Sequence, residues 1–367
     1  MDVWELITMS IEYKAELKKI VLQVQLDKLE EQLNTLFKFI SEKDLAGFFI
    51  DSIYLKNILS LLIDEHWMQS KNAPTDTEIQ FDRFIKPFLN VELKPLLFLQ
   101  SFFQDTSIGG LHLALKAITQ TEAALLRNIK SKPYDFQKKF LQIALMQMSE
   151  LFELEHQLNS DRKKTDVTAR LSLYRTFDVL DKIFELGYLE NEVPDIDQKE
   201  RLYEGAGVGV QSSYATTLLA LRYLNLTKGS RFIDLGSGYG RIGLVVGLMR
   251  PDIQFTGYEF VKERVDIANK ASENLSMTQH VQFRTQDLAS TDFKIPPADT
   301  FYIFDSFSDA TYAVIMEQLQ EMTLHRKITV VTKGNAKLWM KNQFWIEPQE
   351  FNDGNLCLYR SRARPRI

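Results

Sequence analysis

The stretch Arg231-Phe232-Ile233-Asp234-Leu235-Gly236-Ser237-Gly238-Tyr239-Gly240-Arg241-Ile242-Gly243-Leu244 sets an acid, alternating glycines and an apolar run in an order that can hold a ligand. Phe232, Ile233 and Leu235 suit a central parallel strand covered on both faces. Gly236, Gly238 and Gly240 let the backbone pass close to a ligand, and a helix starting there offers free N–H groups and a positive dipole end. A second run, Ile253 to Glu259, ends in an acid placed to accept hydrogen bonds from a ribose diol. A third, Val281 to Arg284, leads to Gln286-Asp287, and a fourth, Thr300 to Asp305, ends in a carboxylate at the edge where such sheets bind ligands. This chemistry is the binding of a nucleoside-bearing cofactor, with Asp305 free to orient a second substrate. Gly238-x-Gly240-x-x-Gly243 also matches the dinucleotide fingerprint, so two cofactor classes compete for the pattern.

The elements that must position these residues follow from periodicity. Ile328 to Thr332 reads as a fifth strand, and 343–351 with 355–360 as a hairpin around Asp353-Gly354. Strands alternating with helical patterns predict an α/β domain with a doubly wound, mostly parallel sheet over residues 191–367. Residues 1–190 read as an all-helical domain, a scaffold, lid or partner-binding region. Leu22, Leu26, Leu29, Leu33, Leu36 and Ile40 step at heptad spacing, which reads as the buried stripe of one long helix. Further helical patterns cover about 79–103, 111–129, 136–156 and 167–187. Only four of the 16 glycines fall in the first 200 residues, as expected of helices followed by strands and tight turns.

Charge and composition exclude several classes. The chain has 367 residues and a net charge of -5, unevenly spread. Residues 1–200 hold 24 Lys+Arg against 32 Asp+Glu, and residues 201–367 hold 20 against 17. The front half is therefore a poor phosphate-binding surface. The single cysteine, Cys357, excludes a disulfide framework and a cysteine metal cluster, and suits a reducing, cytoplasmic setting. The five histidines lie far apart, so no metal site is expected. The apolar stretch from Phe48 to Ile63 is broken by Asp51 and Lys56 and reads as core rather than a membrane span. Four arginines between Arg360 and Arg366 leave nucleic acid as a minority partner.

The ordered set Asp234, Gly236, Gly238 and Gly240, then Glu259, then Asp287 resembles class I, seven-stranded S-adenosylmethionine-dependent methyltransferases, which have a Rossmann-like fold. The resemblance covers about residues 201–361. It implies that Asp234 helps hold the methionine amino group, that the glycine loop passes beneath the methionine moiety, that Glu259 binds the ribose, and that Asp287, with Gln286 beside it, contacts the adenine. A weaker likeness is to the non-SET histone lysine methyltransferases of the telomeric-silencing type. Their Gly-Glu-Thr-Ser-Phe is matched here by Val210-Gln211-Ser212-Ser213-Tyr214, with Gln211 in place of the acid, and their Asn-Asn-Phe by Asp305-Ser306-Phe307. That likeness implies a protein lysine-type amine as acceptor, with RNA, a small molecule, or an interaction protein that keeps the fold without turnover as the alternatives. Tyr203, Tyr214, Tyr239 and Phe307 are the candidate channel walls, Asp305 the acceptor-orienting carboxylate, and the glycine-containing loop from Tyr203 to Ser213 a candidate cover for the cofactor.

Overall fold

The computed structural model describes residues 13, 15–72, 108–162, 177–187, 211–304, 307–353 and 356–362. The chain divides into two compact units: Met1–Gln147 with Leu171–Thr176, and Met148–Arg170 with Phe177–Ile367.

The first unit is helical throughout its described residues. Its main elements are α1 (Leu29–Phe39), α2 (Glu42–Asn72), α3 (Ile108–Lys130) and the start of α4 (Tyr134–Arg162). Ser41 starts α2 as a cap, accepting the Asp44 N–H at 3.1 Å and donating its own hydroxyl proton to the Asp44 carboxylate. Phe48, Phe49 and Leu55 of α2 are fully buried, as are Leu111, Ile118 and Leu125 of α3 and Phe140 and Leu141 of α4. Phe49 meets Phe140 edge-on at 5.4 Å, and Lys56 pairs with Glu122 at 2.8 Å. Within α2, Glu42–Met68 is long and apolar enough to cross a membrane, but 67% of its most apolar window is buried. Its apolarity is that of a core helix. The single long helix expected from Leu22 to Ile40 is instead two helices, broken over residues 23–28. Leu22 is exposed, and only Leu29 and Leu33 of the stripe are buried. Leucine spacing registers a face within a helix and cannot reveal that the chain turns between two of them. The pattern at 79–103 lies outside the described residues.

The second unit is built on one seven-stranded sheet, in the order β3-β2-β1-β4-β5-β7-β6. The strands are β1 (Arg231–Leu235), β2 (Gln254–Glu259), β3 (Val281–Thr285), β4 (Thr300–Phe304), β5 (Thr329–Lys333), β6 (Ile346–Asp353) and β7 (Leu356–Ser361). The first five are parallel, and β7 is inserted antiparallel between β5 and β6. This is the doubly wound, mostly parallel sheet expected from the sequence, closed by its hairpin. Continuous apolar runs make the central strands: the first four residues of β4 and the last four of β1 are all buried. Around the sheet lie α6 (Tyr214–Tyr223), α7 (Arg241–Met249), α8 (Lys262–Asn274), α9 (Asp309–Thr323) and α10 (Ala336–Lys341).

Two glycines let α7 close on the sheet. A Cβ on Gly243 would lie 2.3 Å from the Phe255 ring, and one on Gly240, whose φ is 84°, would lie 2.6 Å from Ala268 Cβ. Leu244, Val245 and Val246 then bury completely, each contributing about 1.5–3 kcal/mol. The chain order reverses between β1 and β4, so a ligand crevice belongs outside their carboxyl ends.

The expected domain boundary near residue 191 lies outside the described residues. The division between the units falls inside α4, so residues 148–162 and 177–187 belong with the sheet despite their helical, glycine-poor sequence. Phe152 packs edge-on against Phe177 at 5.6 Å, and Glu153 accepts from Tyr223 Oη at 3.0 Å. The pattern read as a helix over 167–187 is, where described, a short 3-10 turn at Asp178–Leu180 running into one helical turn, α5 (Asp181–Phe184). It ends at Glu185 in the left-handed conformation.

Candidate functional site

Strand β1 delivers Asp234 and the glycine loop to the crevice. The N–H groups of Gly236 and Ser237 both donate to Tyr258 O on β2, at 2.9 and 2.8 Å, and Gly240 N–H donates back to Ser237 O at 2.9 Å. The loop is thereby folded into a tight cradle. Glu259, at the end of β2, closes it from the side. Its Oε2 accepts the Gly238 N–H at 2.8 Å, and its Oε1 accepts the Val261 N–H at 3.2 Å and faces Arg264 Nη1 at 3.4 Å.

Asp234 is buried to 1% exposure, and among the described residues neither carboxylate oxygen has a partner. Burial, and secondarily the charge of Glu259, push its carboxyl well above the usual carboxylate range. A buried polar group left unpaired costs about 1–3 kcal/mol. An arriving ammonium would remove that cost by supplying both donors and counter-charge. The unpartnered acceptors of Asp234 fit the amino end of S-adenosylmethionine, and the resemblance sets its ribose at Glu259. Farther along, Gln286 N–H donates to Glu259 O at 2.8 Å, which carries the β2 end to the β3 end. Asp287 Oδ1 accepts the Ala289 N–H at 2.8 Å, and Gln286 Nε2 donates to Asp287 O at 2.9 Å. Asp287 is partly exposed at this edge, where the resemblance sets the adenine.

Gln211 also reaches the loop: a Cβ added to Gly238 would lie 3.1 Å from Gln211 Nε2. Asp234, Gly236, Gly238, Gly240, Glu259 and Gln211 therefore converge, with Gln286 and Asp287 following at the next strand end. The acceptor-side expectations fare differently. Tyr203 and Asp305 lie outside the described residues, as does most of the loop from Tyr203 to Ser213. Phe307 is buried at the end of β4 and packs edge-on against Tyr312 at 5.2 Å, within the main apolar core of the sheet. Tyr214 is no channel wall. It is 1% exposed, stacks on Phe184, and donates its hydroxyl proton to Asp181 Oδ1 at 2.6 Å. Tyr239 is largely buried, with the Arg264 guanidinium 5.5 Å from its ring centre.

Sequence reasoning missed a cluster beside the cradle. Arg241, the residue after Gly240, is 1% exposed and sends a two-pronged fork to Asp181, Nε donating at 3.0 Å to Oδ1 and Nη2 to Oδ2. Its Nη1 pairs with Asp178 at 2.9 Å and donates to Ser212 O at 3.1 Å. Burial raises the Asp178 carboxyl, an effect that the Arg241 charge opposes. Ser212 Oγ in turn lies 2.7 Å from Tyr302 Oη on β4, whose phenol burial pushes up. The one available signal was an arginine at the head of the otherwise apolar helix segment Ile242 to Met249.

Comparison with known proteins agrees with the cradle. Residues 226–345 match the model of a family described as a methyltransferase domain. Over 74 residues the chain is 34% identical to the ribosomal RNA small subunit methyltransferase G of Yersinia enterocolitica, covering 20% of this chain and 34% of that protein's length. Among solved structures, similar chains include TrmN from Thermus thermophilus, at 13% identity and TM-score 0.36 over 53% of this chain and 55% of that one. Another is the precorrin-6y C5,15-methyltransferase of Geobacter metallireducens, at 11% identity and TM-score 0.34 over 42% of this chain and 90% of that one. The matched region, residues 226–345, holds the five parallel strands and the glycine cradle, so the methyltransferase-domain match falls on the part of the chain that builds the crevice.

Proposed function

We propose that the chain is an S-adenosylmethionine-dependent methyltransferase whose acceptor is a protein side-chain amine of the lysine type. The observation that carries the cofactor assignment is Asp234, a buried carboxylate on the strand leading into the glycine loop whose two oxygens have no partner among the described residues. When bound, the cofactor supplies an already activated methyl group, so the chain's task is to bind, align and exclude water. An amine acceptor must also lose a proton. With a free pKa of about 10.4, a neutral lysine at pH 7 costs roughly 4–5 kcal/mol, which a narrow apolar entrance lowers by disfavouring the charged form.

The amine reading is supported by the likeness of Gln211-Ser212-Ser213-Tyr214 and Asp305-Ser306-Phe307 to the lysine methyltransferase pattern. The acidic front half, which suits a basic protein better than a phosphate backbone, points the same way. In this reading Asp305 orients the amine, Tyr203 and Phe307 border its entrance, and the single thiol of Cys357 suits a reducing cytoplasm. RNA is the second reading, favoured by the 34% identity over 74 residues to a ribosomal RNA methyltransferase.

Calorimetry with S-adenosylhomocysteine tests the cofactor assignment, and absence of binding would refute it. Transfer of labelled methyl groups from S-adenosylmethionine to lysate tests the acceptor. Label that survives nuclease and vanishes with protease supports the amine, and the reverse pattern establishes RNA.

A further inference from the structure

The buried charges that the cofactor site leaves unused converge on Arg241, which joins three stretches of the second unit. Asp178 and Asp181 come from the short turns before α6, Ser212 from the residues leading into α6, and Arg241 itself opens α7 immediately after the glycine cradle. The Tyr214 ring lies 4.8 Å from the guanidinium carbon, and its hydroxyl donates to the same Asp181 that receives the fork. Four donor contacts and an aromatic face leave the guanidinium one orientation, because its planar fork matches a carboxylate in a fixed geometry.

A role limited to stability explains this arrangement poorly. Two or more charges taken out of water gain little over well-packed apolar residues of the same volume, so a buried ion cluster is better understood by the geometry it imposes. That geometry bears on the cradle from both sides. The bond from Nη1 to Ser212 O fixes the backbone next to Gln211, whose amide lies against Gly238. The same guanidinium fixes the residue adjoining Gly240. Ser212, held at its carbonyl, also keeps its hydroxyl on Tyr302 of β4, beside the crevice.

We propose that Arg241, acting with Asp181, is a positioning residue for the cofactor: it sets the placement of Gln211 against the glycine loop. The proposal rests on the reading that this loop holds S-adenosylmethionine. Arg241 touches no reacting atom, and its influence passes through the Ser212 carbonyl and the Gln211 amide.

The test is a mutant cycle on the full chain, read by calorimetry with S-adenosylhomocysteine and by initial rates with S-adenosylmethionine. Arg241→Met with Asp181→Asn neutralises the fork, keeps an acceptor for the Tyr214 hydroxyl, and packs apolar atoms over its ring. Thermal melting verifies that this variant folds. The expected result is an affinity loss of about 2- to 12-fold, the worth of one positioned hydrogen bond. It should show as a raised KM for S-adenosylmethionine with kcat unchanged. Gln211→Ala should lose a similar factor, and the triple variant should lose no more than the weaker parent, since both act through one contact. Arg241→Lys, which keeps the charge but not the fork, should resemble the neutral pair and serves as the readout if that pair does not fold. Multiplicative losses in the triple variant, or wild-type affinity in the neutral pair or in Arg241→Lys, would overturn the positioning role while the cofactor reading stands. A wild-type chain that binds no S-adenosylhomocysteine would overturn both.

Discussion

Asp234 and Arg241 sit at the two ends of one glycine loop, equally buried, and are treated in opposite ways. Arg241 is met by two carboxylates, a carbonyl and an aromatic ring. Neither carboxylate oxygen of Asp234 has a hydrogen-bond partner among the described residues, and the charge that acts on it is that of the like-signed Glu259. A fold can hold a buried charge only by pairing it, neutralising it, or leaving it for a ligand. The contrast therefore separates scaffold from site without reference to any relative. Compensation marks the residue that builds the crevice, and its lack marks the residue that waits for an occupant.

Breaking the compensated end should have the largest effect. Arg241→Met alone strands Asp181 in the core beside a raised Asp178, and removing one member of a buried pair costs about 3–5 kcal/mol. At about 2–4 °C per kcal/mol for a unit of this size, thermal melting should move down by roughly 6–20 °C. The neutral pair Arg241→Met with Asp181→Asn should recover most of that loss. A single variant as stable as the wild type would show that Asp181 finds other partners and that the compensation is dispensable.

Breaking the uncompensated end should do the reverse. Asp234→Asn should weaken S-adenosylhomocysteine binding roughly 100-fold or more, because a desolvated ammonium then lacks its counter-charge. The ligand-free protein should become more stable at neutral pH, since the native state no longer has to hold a raised carboxyl protonated or carry its charge unpaired. The pH dependence follows from the raised folded carboxyl. Above the unfolded carboxylate range the native state binds more protons than the unfolded one, so stability falls as pH rises for as long as Asp234 stays protonated in the folded chain. The advantage of Asp234→Asn should accordingly vanish in acid, where the carboxyl is neutral in both states, and grow with pH until Asp234 is ionised in the folded chain. Ligand affinity in the wild type should fall on acidification through the same range. Melting curves from pH 4 to pH 8 supply the check, and a destabilised Asp234→Asn at neutral pH would mean that the carboxylate is paired after all.

How much of this could be read in advance depended on whether the signal was local. The strand ending in Asp234, the turn at Gly236 and Gly238, and the acid at Glu259 are spelled out within single short segments, each with one physical purpose, so the sheet and the cofactor edge were legible. Arg241 and Asp181 were not, because their pairing spans two segments that composition assigned to different domains. Glycine scarcity correctly marked 148–162 as helical but could not say which core that helix joins, which Phe152 and Glu153 decide through Phe177 and Tyr223. The leucine stripe failed for the same reason: Leu22 and Leu29 keep heptad spacing although a turn separates them. Tyr214 was an aromatic residue near the right motif, and aromatic identity alone does not distinguish a wall from a core.

The smallest effects should come from the two acids that are only partly compensated, and their ranking sharpens the contrast. Glu259 offers both oxygens inward, to Gly238 N–H and to Val261 N–H, so Glu259→Ala removes a charged acceptor and also loosens the cradle. About 1.5–3 kcal/mol of binding is at stake, a 10- to 150-fold loss of S-adenosylhomocysteine affinity. Asp287 is less buried and already spends one oxygen on the Ala289 N–H, a local bond that the variant would lose whether or not ligand is present. An adenine held there also gains from burial and stacking, which Asp287→Ala leaves intact. Its loss should therefore stay near 0.5–1.5 kcal/mol, about 2- to 12-fold. Side-by-side titrations of the two variants decide the matter. Should Asp287→Ala prove the more damaging, the site's dependence on buried acids would be the wrong rule, and the adenine edge rather than the β1–β2 end would carry the recognition.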